Sequence, residues 1–183
     1  TYTIDLYGDS LTDGTGAGET GWIGEGLYAH TSQHLRLSPY PGGGESLGEI
    51  KTRFLAAFPN NSANTIILQG GTNNIVNPTK RTDLETMKTD MSEMASAVID
   101  NDKYNLVIIN VPPWLEHGEW TQALQTQTEA YNAWLLATYP KYVVDAYTRL
   151  GDPLDPRRLN DEFLHDNHVS VNNVHPNKNG GRA

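Results

Sequence analysis

Short apolar runs with β character alternate with longer amphipathic stretches along the whole of this sequence, and few folds accommodate that order. The strand-like runs are Tyr2 to Tyr7, a weaker one from His34 to Leu37, Asn64 to Gln69, Tyr104 to Val111 and Lys141 to Ala146. Between them lie helical patterns near Trp22 to Ser32, Leu47 to Phe58, Thr82 to Asp100 and Trp120 to Thr138. Strand, helix, strand in succession builds βαβ crossovers and hence a parallel sheet. The runs at 64–69 and 104–111 are continuously apolar, as expected of strands covered by helices on both faces. The expected fold class is therefore α/β, a three-layer α/β/α sandwich with about five parallel strands. A length of 183 residues fits one domain over 1–183. Two segments sit awkwardly in this scheme. Asp5 interrupts the first strand and is expected at an edge or rim, and Ser38-Pro39-Tyr40-Pro41-Gly42-Gly43 looks like a turn.

The third helix carries the clearest local signal. Leu84, Met87, Met91, Met94 and Val98 recur at steps of three and four, which places them on one face toward a core. Thr82 with Glu85 forms the pattern of a capping box at its start.

Charge and composition narrow the partners. Thirteen Lys and Arg against 22 Asp and Glu leave a net charge of -9, which repels phosphate backbones and anionic headgroups. Nucleic acid is therefore not an expected partner. The longest apolar stretches, 65–68 and 106–109, fall far short of the roughly 18 residues a membrane span needs. With no cysteine in the chain, disulfides, thiol nucleophiles and thiolate-bound metals are excluded. The chain starts at Thr1 without a Met, which suggests a processed or trimmed product.

In a doubly wound sheet, ligands bind outside the carboxyl ends of the strands, so residues following different strands converge there. Gly8-Asp9-Ser10-Leu11-Thr12 follows the first strand, Gly42-Gly43-Gly44-Glu45-Ser46 the second, and Gly70-Gly71-Thr72-Asn73-Asn74 the third. Asn172-Asn173-Val174-His175-Pro176 comes after the last. Together they supply the parts for acyl transfer. Ser10 can attack a carbonyl and His175 can take its proton. The Ser10 and Gly44 backbone N–H groups and the Asn73 amide can stabilise the oxyanion. This chemistry requires no cofactor and no metal.

At these four segments the sequence resembles the SGNH hydrolases, also called GDSL esterases and lipases. Ser10 stands in the matching Gly-Asp-Ser-Leu, Gly44 in a Gly-Glu-Ser, Asn73 in a Gly-Thr-Asn and His175 in the final His-Pro, all in family order from Tyr2 to Asn179. The resemblance implies a flavodoxin-like sandwich and a serine esterase. Two positions depart from the pattern. Asn74 stands where the family often has Asp, and its amide is expected to support the loop by hydrogen bonding. Asn172 stands where the family usually has the Asp that orients the His and stabilises its protonated form. In serine proteases the analogous loss of charge costs about 10⁴ in turnover. Three readings of Asn172 stay open. Catalysis runs as a Ser-His dyad with His175 held by a backbone carbonyl or by an acid such as Asp161 or Asp166; the Asn is an introduced change that traps substrate; or the domain has kept only a binding pocket. Family members also continue past the His-Pro block into a closing helix, so an end at Ala183 suggests a clipped chain.

Rival motifs are weaker. Gly44-Glu45-Ser46-Leu47-Gly48 matches a nucleophile elbow but lacks a strand directly before it. Gly16-Ala17-Gly18-Glu19-Thr20-Gly21 matches a dinucleotide fingerprint but begins well past the strand end. The pairs His30/His34 and His165/His168 bring no third metal ligand. For substrate, the spacing leaves no insertion long enough for a lipase-type lid, and acetyl esters of carbohydrates are the first expectation. A lysophospholipase or thioesterase of the same family is the alternative, and a catalytically impaired carbohydrate-binding domain is a third, motivated by Asn172. Trp114 and Trp120 after the fourth strand are expected either to stack on a sugar or to pack the following helix, the latter being the simpler role.

Overall fold

The computed structural model describes residues 2–12, 27, 35–58, 62–115 and 117–163. The two continuous apolar runs pair side by side as β3 (Thr65–Gln69) and β4 (Asn105–Ile109). They lie in a parallel sheet with β1 (Tyr2–Gly8), β2 (Leu35–Pro41) and the two-residue β5 (Val143–Val144), in the order β2-β1-β3-β4-β5. That is the flavodoxin-like strand order, whose direction of winding reverses between β1 and β3. The carboxyl ends of those two strands therefore flank the crevice.

Successive side chains of β1, β3 and β4 alternate between two apolar layers. Tyr7, Ile66, Leu68, Leu106 and Ile108 face one core with Leu47, Ile50 and Phe54 of α1 (Leu47–Ala57), Met87, Met91, Met94 and Val98 of α3 (Leu84–Ile99), and Tyr131 and Leu135 of α4 (Gln122–Thr138). Short helix α2 (Thr72–Val76) adds Ile75 and Val76 to this core. On the opposite face Ile4, Leu6, Ile67 and Ile109 pack with Leu11, Leu159 and Ala146 and Leu150 of α5 (Ala146–Leu150). This is the expected three-layer sandwich, and the methionine stripe is its core. Edge-on packing of Tyr7 against Phe54, at 5.0 Å and 88°, ties β1 to α1.

Several local expectations change. β2 runs through the segment read as a turn. It is an edge strand, and Gly42 N–H still donates to Gly8 O at 3.0 Å, so N–H groups of that parity face β1. Pro39 and Pro41 have the opposite parity, on the side away from β1, where among the described residues no strand pairs and a missing N–H costs no ladder bond. Asp5 is not at an edge: β1 is interior, and Asp5 is buried on the face that also carries Tyr7. The cap of α3 is Asp83, whose Oδ1 accepts from Thr86 N–H at 2.8 Å, rather than Thr82. Of the helix expected at 22–32, only Leu27 is described, packed against the second core. The last strand is shorter than expected because Asp145 caps α5 immediately after it, accepting from Thr148 N–H.

Candidate active site

β1 ends at Gly8 because the chain must turn at once. A Cβ there would lie 2.4 Å from Thr12 Cγ2. The turn is closed by Asp9 O, which accepts from Thr12 N–H at 3.0 Å and Thr12 Oγ1–H at 2.8 Å. Asp9 Oδ1 accepts from Leu11 N–H at 2.9 Å, and Leu11 anchors the turn in the second core. Within Gly8–Thr12 only Ser10 is not buried. The turn thus leaves Ser10 half-buried between buried neighbours.

The second loop is tied to the first. Besides the Gly42 bond, Arg53 of α1 donates to Gly8 O at 3.1 Å and pairs with the Glu45 carboxylate. Gly44 has a φ of +75°, a conformation that favours glycine, and a Cβ there would meet nothing within 4 Å among the described residues. Ser46 is occupied: its N–H and its hydroxyl both donate to Glu49 Oε2 at 2.8 Å, which caps α1. Lys80 and these Ser46 bonds hold the Glu49 carboxyl down at about 2. Four residues separate β2 from Ser46, so the segment is a capped helix start and not a nucleophile elbow.

The third loop closes the cluster. Gly71 precedes α2 at a φ of +112°, with Tyr131, Met87 and Val111 filling the space beneath it. Asn73 Nδ2 donates to Glu45 O at 3.0 Å and to Asp9 Oδ2 at 3.4 Å. One amide thereby joins the residue before Ser10 to the residue after Gly44. Asn74 supports the loop as expected. It is buried, its Oδ1 accepts from Leu47 N–H at 2.8 Å, and its Nδ2 donates to Thr82 Oγ1 at 2.8 Å. That first bond satisfies a free N–H at the start of α1 from another segment. Asn74→Ala should cost about 1–3 kcal/mol, because the Leu47 N–H is left buried without an acceptor. A urea midpoint equal to that of the unaltered protein would show that this bond is dispensable.

At the end of β4, Asn110 donates to Asp145 Oδ1 at 2.8 Å and accepts from Tyr147 N–H at 3.0 Å. Burial alone would raise the Asp145 carboxyl, but bonds from Thr148 and Asn110 hold it below its ordinary value. Both tryptophans pack rather than offer a ring. Trp114 is buried, with Nε1 donating to Thr128 Oγ1 at 3.0 Å; Trp120 packs on the main core and donates to Gln125 Oε1 at 3.1 Å. His117 beside them is pushed below the usual histidine range by burial.

Ser10, Gly44 and Asn73 thus lie on loops that the structure brings together. His175 and Asn172 lie outside the described residues, as do Asp166, His30, His34, His165, His168 and 16–21. Asp161 is exposed and pairs with Arg158 at 3.2 Å. Among the described residues no group of His, Asp or Glu could hold a metal ion. Sequence reasoning missed the buried Asp9 carboxylate, the Arg53–Glu45 pair and Gln69. With its nitrogen turned to Asp9, Gln69 donates to Asp9 Oδ1 at 2.9 Å and accepts from Gly70 N–H at 3.2 Å. Asp9 stands in the Gly-Asp-Ser-Leu segment, but nothing in the sequence shows that it is buried.

The family model described as the GDSL-like lipase/acylhydrolase family matches residues 6–183. Among solved structures, a lipase from goat rumen metagenome aligns with a TM-score of 0.74 at 18% identity, covering 100% of this chain and 93% of that one. A member of the lipolytic G-D-S-L family from Veillonella parvula gives 0.69 at 20%, with the same coverage. The lipase/acylhydrolase from Enterococcus faecalis gives 0.70 at 16%, covering 99% of this chain and 90% of its own. No curated protein matches the sequence. These structural likenesses show the fold, and the family match carries the relationship further. With a Gly-Asp-Ser-Leu turn at the end of β1 and a match that runs over nearly all of its length, the chain belongs to the GDSL-like lipase/acylhydrolase family.

Proposed function

We propose that this protein is a serine ester hydrolase acting on small acyl esters, with acetyl esters of carbohydrates as its substrate class. One observation carries the site assignment. The Asn73 amide binds both Asp9 and the Glu45 carbonyl, which gathers the Ser10, Gly44 and Asn73 loops at the β1/β3 reversal. The half-buried Ser10 hydroxyl attacks the ester carbonyl carbon, and His175 accepts its proton. The Ser10 and Gly44 N–H groups and the Asn73 amide donate to the oxyanion. When the ester C–O bond breaks, the departing alcohol takes the proton from His175 and an acyl-serine remains. Water, deprotonated by His175, then releases the acid and restores Ser10. No cofactor enters these steps.

Asn73→Ala should lower kcat by roughly 10²–10³ with little change in KM, since an oxyanion donor acts chiefly in the transition state. A kcat within about threefold of the unaltered protein would remove Asn73 from the site.

Acetate release from acetylated xylan and acetylated monosaccharides tests the substrate class. Turnover of lysophospholipid or acyl-thioester with no acetate from any acetylated sugar would reassign the protein to the alternative. Asn172 motivates a second reading as a catalytically impaired carbohydrate-binding domain, which predicts binding of an acetylated glycan without turnover.

A further inference from the structure

We propose that Asp9 is the positioning residue for Asn73. This proposal rests on the reading of Ser10 as nucleophile and Asn73 as oxyanion donor, and adds to it what aims the donor. An asparagine side chain has two ends of nearly equal shape, and only the nitrogen end can stabilise an oxyanion. The end that faces the crevice must therefore be chosen by its surroundings. Here both neighbours of the Asn73 nitrogen are acceptors, the Asp9 carboxylate at 3.4 Å and the Glu45 carbonyl at 3.0 Å. Turning the amide over would set its oxygen against a carbonyl oxygen and a carboxylate.

The carboxylate is the stronger discriminator of the two. Asp9 is fully buried, so its charge is poorly screened by water. It is also fixed from other directions, by Leu11 N–H at 2.9 Å and by the Gln69 amide at 2.9 Å. Those bonds hold Oδ1 while Oδ2 is directed at Asn73. The 3.4 Å separation is long for a hydrogen bond and leaves room to tighten when an oxyanion forms beside Ser10. As the oxyanion takes the N–H now given to Glu45 O, the other N–H stays on Asp9 Oδ2 and keeps the nitrogen in place.

Asp9→Asn tests this more sharply than alanine does. The new amide keeps an oxygen for Leu11 N–H but can offer its own nitrogen to Asn73, which permits the overturned orientation. The expected result is a kcat about 10- to 100-fold lower with KM within about threefold. The double variant Asp9→Asn/Asn73→Ala should be no more than about threefold slower than Asn73→Ala alone, because Asp9 acts through Asn73. A purely structural role for Asp9 predicts losses that multiply. Multiplying losses, or an unchanged kcat in Asp9→Asn, would overturn the proposal.

Should Asp9→Asn fail to fold, the unaltered protein decides. In a crystal structure of its adduct with a p-nitrophenyl alkylphosphonate, the Asn73 amide should sit within hydrogen-bonding distance of both the phosphonyl oxygen and Asp9 Oδ2. An amide that has left Asp9 would overturn the positioning role while leaving Ser10 as nucleophile. Absence of any adduct on Ser10 would instead overturn the nucleophile assignment, and this proposal with it.

Discussion

Ser10→Ala is expected to bring p-nitrophenyl acetate hydrolysis down to the buffer rate, with an unchanged melting temperature. Ser10 is the one residue of the Gly8–Thr12 turn that is not buried, while Asp9, Leu11 and Thr12 are buried and close the turn through bonds of Asp9 to Leu11 and Thr12. Removing one oxygen from a half-buried position should therefore cost chemistry and not fold. The size of the fall carries further information. In serine proteases, loss of the nucleophile costs about 10⁶, and loss of the aspartate charge alone about 10⁴. Because such effects are not additive, a protein whose His175 is unsupported has only about 10² left to lose. A fall near 10⁶ would instead mean that another group already does the work of the missing carboxylate. Retention of the original rate in Ser10→Ala would remove Ser10 as the nucleophile, and with it the acyl-serine mechanism.

The alternation of elements makes the layers legible in the sequence, because burial on both faces leaves a continuous apolar run in β3 and β4 and a stripe in α3. Periodicity does not show where a polar residue or a proline becomes acceptable. Pro39 and Pro41 look like strand breakers until β2 is known to be the sheet edge and their nitrogens to lie on the side away from β1. Asp5 is awkward for the opposite reason. Its place on an interior strand follows from the winding reversal, which hydrophobicity does not encode. The two short helices α2 and α5 are likewise invisible, since five residues do not complete a period and a half. In the candidate site, residue types name the loops, but the bonds that join them are long-range. Asn73 to Glu45, Asn74 to Leu47 and Arg53 to Gly8 each connect different segments, and no local pattern signals such pairs.

Asn172→Asp should raise kcat/KM on p-nitrophenyl acetate by about 10² or more, up to the roughly 10⁴ that the same exchange is worth in serine proteases. An amide three residues before His175 brings no charge to stabilise the imidazolium that forms when Ser10 attacks. It can also present a donor where the ring needs an acceptor. Asp161, an alternative partner for His175, is exposed and engaged with Arg158, so its charge is already partly compensated there. A carboxylate at 172 should do more than raise the rate. It favours the protonated imidazole, and the general base must be neutral, so the ascending limb of the pH–rate profile should move to higher pH. Both effects can be read from pH 5 to 9 on the same preparations. In Asn172→Asp, Ser10→Ala should then cost far more than it does in the unaltered chain, because the two residues act as a unit. An unchanged rate with an unchanged limb would mean that His175 is oriented by another group, and that the protein works as a dyad in which position 172 takes no part.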